Sequence, residues 1–118
     1  MSGWKTNRRV TAVSDFEFTD LGDGHFALRG DLSFDTVEQI LRASKELFRG
    51  LTSIEVDLSG VEKTDSAGLA LLLEWIAWSA NSGKDIRFAE MPAKILAIAQ
   101  TTEVDGWLQR SYSSSSKI

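Results

Sequence analysis

Residues 53–81, SIEVDLSGVEKTDSAGLALLLEWIAWSAN, constrain the fold of this chain more than any other stretch. Ile54, Val56 and Leu58 alternate with Glu55 and Asp57, the period-two pattern of a strand with one buried face. Residues 59–63 read as a turn. Thr64-Asp65-Ser66-Ala67-Gly68 then opens a long apolar segment that lacks proline and is rich in good helix formers. Asp65 and Ser66 are both N-cap residue types, so the helix is expected to start at this pair. A strand, a loop and a helix in that order set a hydroxyl at the positive end of a helix dipole.

The rest of the chain fits around that unit. Residues 16–19 and 25–30 alternate apolar and polar side chains on either side of Asp20-Leu21-Gly22-Asp23-Gly24, which has turn chemistry, so the two runs predict a hairpin. Asp31 and Ser33 lead into Thr36 and Gln39, which have capping-box spacing. Val37, Ile40, Leu41, Leu47 and Phe48 follow at helical spacing, and Gly50 ends that helix. Residues 82–84 close the central helix, and 85–89 (DIRFA) predict another short strand. Pro92 suits the first turn of a third helix over 93–100, with Ile95, Leu96, Ile98 and Ala99 facing inward. Residues 103–108 are expected to add a last turn that docks Trp107. The order β-β-α-β-α-β-α predicts an α/β fold, a mixed sheet of four to five strands flanked by helices. Residues 1–14 read as a flexible leader, 15–109 as the folded domain, and 110–118, with four consecutive serines, as a disordered tail.

Composition narrows the function. At 118 residues the chain is long enough for one core and too short for two. It has no cysteine, which removes disulfides, thiolate metal sites and cysteine nucleophiles and fits a cytoplasmic protein. A net charge of −4 and a pI near 4.9 argue against nucleic acid as a ligand, because a phosphate-binding surface needs a basic face. The basic cluster of Lys5, Arg8 and Arg9 reads as a solvated terminal run. No apolar signal region opens the chain, and the most apolar run, 67–78, holds Glu74 and is too short to cross a bilayer. The expectation is therefore a soluble protein that reaches a membrane only through a partner.

Catalytic readings find little support. His25 is the sole histidine and falls in a strand of the expected hairpin. The Gly60 and Gly68 region lacks the Lys-Ser/Thr of a phosphate-binding loop. Glu17, Asp20, Asp23, Asp57 and Asp65 have no recognisable metal-ligand spacing. Neither a cofactor nor a small ligand has a residue pattern behind it.

The central helix is more informative. At about 100° per residue, Leu69, Leu72, Leu73, Ile76 and Ala80 share one side and make a sufficient core face. Ala67, Leu71, Trp75 and Trp78 fall on the opposite side with Glu74 and Asn81. Either a neighbouring helix covers that apolar side or it is an exposed patch for a partner. A tryptophan-rich patch beside a helix start has the composition of an interface core. Ser66 likewise has two readings. It is a helix cap, or it is an exposed hydroxyl whose phosphorylation would set nearly two negative charges beside Asp65 and switch a binding surface off.

The run IEVDLSGVEKTDSAGLALLLEW resembles the STAS domain family (sulphate transporter and anti-sigma-factor antagonist). Asp57-Leu58-Ser59 and Asp65-Ser66-Ala67-Gly68-Leu69 match its strand and helix-start motifs, and the element order matches from about Phe16 to Leu108. The resemblance implies a mixed sheet flanked by helices and a non-catalytic protein acting through partners. Two branches of the family offer different partners. In anti-sigma-factor antagonists a kinase anti-sigma factor binds the domain and phosphorylates the serine matching Ser66. In the MlaB-type branch of Gram-negative bacteria, a solitary STAS subunit binds the cytoplasmic ATPase (MlaF-like) of an ABC-type phospholipid transporter. That ATPase lies beneath a membrane permease (MlaE-like), and the system maintains outer-membrane lipid asymmetry. GLALLL, the apolar Trp75 and Trp78, and Ala67 where antagonists commonly repeat Ser favour the MlaB-type branch. The long leader before Phe16 departs from it. The implied partner-binding set is Thr64, Asp65, Ser66, Ala67, Leu71, Trp75 and Trp78, with Ser66 the candidate phosphosite.

Overall fold

In the computed structural model, which describes residues 10–12 and 15–102, a mixed sheet carries three helices. The elements in chain order are β1 (Val10–Ala12), β2 (Phe16–Gly22), β3 (His25–Leu32), α1 (Val37–Leu47), β4 (Ser53–Thr64), α2 (Ser66–Asn81), β5 (Asp85–Ala89) and α3 (Ala93–Thr102). The strands lie in the order β1-β2-β3-β4-β5. β1, β2 and β3 pair antiparallel, whereas β3–β4 and β4–β5 are parallel and are joined through α1 and α2.

The expected hairpin is β2–β3, with Phe18 opposite Leu28 and Glu17 opposite Arg29. Its turn needs left-handed backbone at Gly22, Asp23 and Gly24, and the Asp20 side chain accepts the Gly22 N–H at 2.8 Å. A side chain at Gly24 would run into the Ser53 carbonyl of β4. That glycine therefore serves the turn and the parallel pairing together.

Alternation divides the sheet. Phe16, Phe18, Phe26, Leu28, Ile54, Val56, Leu58, Ile86 and Phe88 are buried on one side and meet the helices. Apart from Ala27, the intervening positions are charged or polar, and some pair across strands: Glu17 with Arg29 and Glu55 with His25, both at 3.8 Å. Exposed pairs of this kind add little stability but keep the outer face wet. The centre of the core is aromatic. Phe18, Phe26, Phe48, Trp75 and Phe88 contact one another with ring centroids 5.0–6.2 Å apart.

Four sequence expectations change. β4 does not turn at residue 59 but runs on to Thr64, because β3 keeps pairing with it through Gly30–Val61 and Leu32–Thr64. Gly60 looks like a turn residue, yet its role is to admit Arg29, whose Cγ would lie 2.7 Å from an added Cβ. β1 falls inside the span read as a leader; it covers the outer edge of β2, with Val10 opposite Thr19. The capping box at Thr36 does not form. Thr36 is the N-cap by position, but its hydroxyl donates to the Asp31 carbonyl at 2.8 Å and accepts the Ser33 N–H at 3.1 Å. The turn expected around Trp107, the basic cluster at Lys5, Arg8 and Arg9, and the serine tail lie outside the described residues.

Candidate functional site

The candidate site is the start of α2, and each residue of TDSAGL has a separate task there. Thr64 ends β4 with its side chain buried. Asp65 is the N-cap, in extended backbone, and its Oδ1 accepts the Ala67 N–H at 2.9 Å and the Gly68 N–H at 3.3 Å. Its other oxygen, Oδ2, accepts the Phe34 N–H of the β3–α1 loop at 3.2 Å. One carboxylate thus satisfies three backbone donors and ties the loop to the helix. Gly68 is buried where an added Cβ would strike the Thr64 hydroxyl and the Leu32 carbonyl, so glycine lets the helix rest on the ends of β3 and β4. Leu69 turns into the core.

Ser66 is the first residue of the helix and is exposed. Of its two readings, the capping role belongs to Asp65, and among the described residues no hydrogen bond ties down the Ser66 hydroxyl. Ala67 is half-buried, and Ala70 and Glu74 stand exposed one and two turns further on. Val37, Leu41, Ala67, Ala70 and Leu71 line a shallow groove of about 300 Å³ between α1 and α2, with Glu38 and Glu74 also on its walls.

The apolar side of α2 is not the exposed patch that its tryptophans suggest. Trp75 is 1% exposed and Leu71 4%, both within the core. The Trp75 ring lies 5.4 Å from Phe48 and 5.9 Å from Phe18, and its Nε1 donates to the Ser44 hydroxyl of α1 at 3.0 Å. Helix α1 covers this side, so Leu71 and Trp75 are core residues and not an exposed patch, and Thr64 is buried separately, at the end of β4 beneath Gly68. Trp78 is half-buried, 5.8 Å from Phe48, with the Lys84 ammonium 5.9 Å from its ring. The helical wheel is rotated as well. Gly68, Leu69, Leu71, Leu72, Trp75 and Ser79 are buried, whereas Leu73 and Ile76 are half-buried and Ala80 is exposed. Of the seven partner-binding candidates, Asp65, Ser66 and Ala67 stay together at an accessible helix start, and Trp78 lies more than two turns away.

One accessible residue escapes the sequence pattern. Phe34 is 79% exposed, beside Asp65. Its signal is a single aromatic within the polar segment SFDT, between the end of a strand and the start of a helix. Among the described residues, no group of three or more His, Cys, Asp or Glu side chains is placed to hold a metal ion, and no helix is long and apolar enough to cross a membrane.

Comparison with known proteins now bears on this geometry. A family profile described as "Mlab, STAS domain" matches residues 19–110, most of the chain. The chain belongs to the STAS domain family. The intermembrane phospholipid transport system binding protein MlaB of Escherichia coli (strain K12) is 32% identical over 74 residues, covering 63% of this chain and 74% of the relative. MlaB of Shigella flexneri gives the same identity and coverage. Among solved STAS structures, the phosphorylated form of the Bacillus cell fate determinant SpoIIAA superposes with a TM-score of 0.63 at 19% identity, covering 86% of this chain and 92% of that one. The unphosphorylated anti-sigma factor antagonist SpoIIAA gives a TM-score of 0.62 at 18% identity, covering 86% and 89%. At these identities the likeness shows the shared STAS fold, in agreement with the mixed sheet and flanking helices seen here.

Proposed function

We propose that this STAS domain is a non-catalytic adaptor that binds the ATPase subunit of an ABC-type phospholipid transport complex. The observation that carries the reading is the 32% identity to MlaB, a phospholipid transport system binding protein, across 74% of its length. The site geometry supports it. Asp65, Ser66 and Ala67 offer an accessible, rigidly capped helix start, and the alanines of α2 leave room for a partner to approach closely. Docking there biases the ATPase toward its productive conformation, a coupling on the order of 1–3 kcal/mol. The adaptor is then cytoplasmic and peripheral to the inner membrane, joined indirectly to the permease. Recovery of an ABC-type ATPase with its permease, from gently solubilised native membranes by the tagged full-length chain, is the expected result. Loss of both with Ser66→Glu sets the helix start inside the interface; undiminished recovery removes it.

A second reading has an observation of its own, the exposed and unbonded Ser66 hydroxyl at a helix start. In that reading a kinase anti-sigma factor binds the domain and transfers the γ-phosphoryl group of ATP to Ser66 Oγ, releasing ADP. The dianionic product sits beside the Asp65 carboxylate and ends binding by repulsion. Intact mass of protein from its native host distinguishes the two, since this reading requires a stoichiometric phosphate in some growth condition. A soluble kinase recovered in place of an ABC ATPase replaces the first reading with the second.

A further inference from the structure

Phe34 has the largest exposed apolar side chain described, well beyond Leu21 at 44% against its 79%. A loose loop would explain such exposure, but this loop is fully bonded. The Ser33 N–H donates to Thr36 Oγ1, Phe34 N–H to Asp65 Oδ2, and Asp35 N–H to Ser33 Oγ, while the N–H groups of Thr36 and Val37 both reach the Ser33 carbonyl. Ser33 and Thr36 are buried on either side. Every backbone donor from 33 to 37 is satisfied, and the result is a benzyl group held in water. Because the backbone that presents the ring is already fixed, docking costs only the rotamer freedom of one side chain, a property expected of an interface anchor.

The surroundings specify the occupant. Asp35 follows Phe34 directly, Asp65 bonds its backbone, and Glu38 is exposed in the first turn of α1. Glu38 is paired with Arg42 at 3.3 Å, whereas Asp35 and Asp65 have no cationic partner among the described residues. Carboxylates beside an apolar knob repel an anionic lipid surface and complement basic side chains. We propose that Phe34 is the anchor by which this domain docks on its partner protein, entering an apolar pocket whose rim is basic. The proposal rests on the adaptor reading and deepens it. Asp65 is its positioning residue, holding the anchor and the Ser66 helix start in one frame, so that both meet the partner together.

The test uses the full-length chain and the purified ATPase subunit of the host's phospholipid transport complex, with Kd measured by calorimetry. Phe34→Ala is expected to weaken binding at least tenfold with an unchanged melting temperature, Phe34→Leu to restore part of the loss, and Asp35→Lys to weaken binding several-fold. If Phe34→Ala binds within twofold of wild type while Ser66→Glu abolishes binding, the anchor is wrong and the adaptor reading stands. If the wild-type chain does not bind the ATPase, the adaptor reading falls and the anchor with it. Phe34-dependent flotation on phosphatidylethanolamine–phosphatidylglycerol vesicles would replace the protein pocket with a lipid surface. A wild-type dimer that Phe34→Ala converts to monomer would replace it with a second copy of this chain.

Discussion

The first turn of α2 and its middle differ in what fixes them, although both read as apolar helix. The first turn is held by directional chemistry: one carboxylate on three N–H groups and a glycine seated on the ends of two strands. The middle is held by volume: Leu71, Leu72 and Trp75 wedged among Phe18, Phe48 and Phe88. The contrast teaches that the same helix contributes stability through its body and surface chemistry through its start. Substitutions should separate the two.

The largest effect is expected from Trp75→Ala, which removes a fully buried ring and leaves the Ser44 hydroxyl without its indole donor. A loss of about 3–5 kcal/mol is expected, read as a collapse of the denaturant midpoint. A stable, binding-deficient Trp75→Ala would return that residue to the interface and dissolve the contrast. Gly68→Ala comes next. Alanine gains helix propensity, but its Cβ meets the Leu32 carbonyl, a backbone atom with little freedom to move, so a net loss of about 1–3 kcal/mol is expected in chemical denaturation. Asp65→Ala strips the cap and frees the Phe34 N–H, at about 1–2 kcal/mol. Hydrogen exchange should then speed up at Phe34, Ala67 and Gly68 together; faster exchange at the helix alone would show that the loop does not depend on Asp65. The smallest effect is expected from Ser66→Ala, within about 0.5 kcal/mol, since Asp65 and not Ser66 is the cap. A Ser66→Ala loss near that of Asp65→Ala would mean that the hydroxyl shares the capping.

Much of the sheet is legible because strands with one wet face advertise themselves: Phe16 to Thr19, His25 to Gly30 and Asp85 to Ala89 all alternate, and all are strands. Helix α1 is legible for the same reason, its apolar residues recurring on one side only. Helix α2 is legible as a helix but not in its orientation. Leu69, Leu71, Leu72, Leu73, Trp75, Ile76 and Trp78 leave only a thin exposed stripe, Ser66, Ala70, Glu74, Ala77 and Asn81, and the alanines within it mask its polarity. Gly60 misleads because close approach and tight turning ask for the same residue. At the candidate site, Asp65 and Ser66 are visible as a helix start, but which of them caps is settled by backbone geometry at Asp65. Phe34 is invisible for a different reason. An isolated aromatic in a polar loop carries no periodic signal, and its outward placement follows from a loop conformation fixed by bonds that include a distant one, Phe34 N–H to Asp65.

The glycine seat at the head of α2 also has a mechanical meaning. With no Cβ at Gly68 to act as a cushion, the helix start bears directly on the Leu32 carbonyl and the Thr64 side chain. Displacement of that first turn is therefore opposed by the ends of β3 and β4, where the Leu32 carbonyl is backbone with little room to shift.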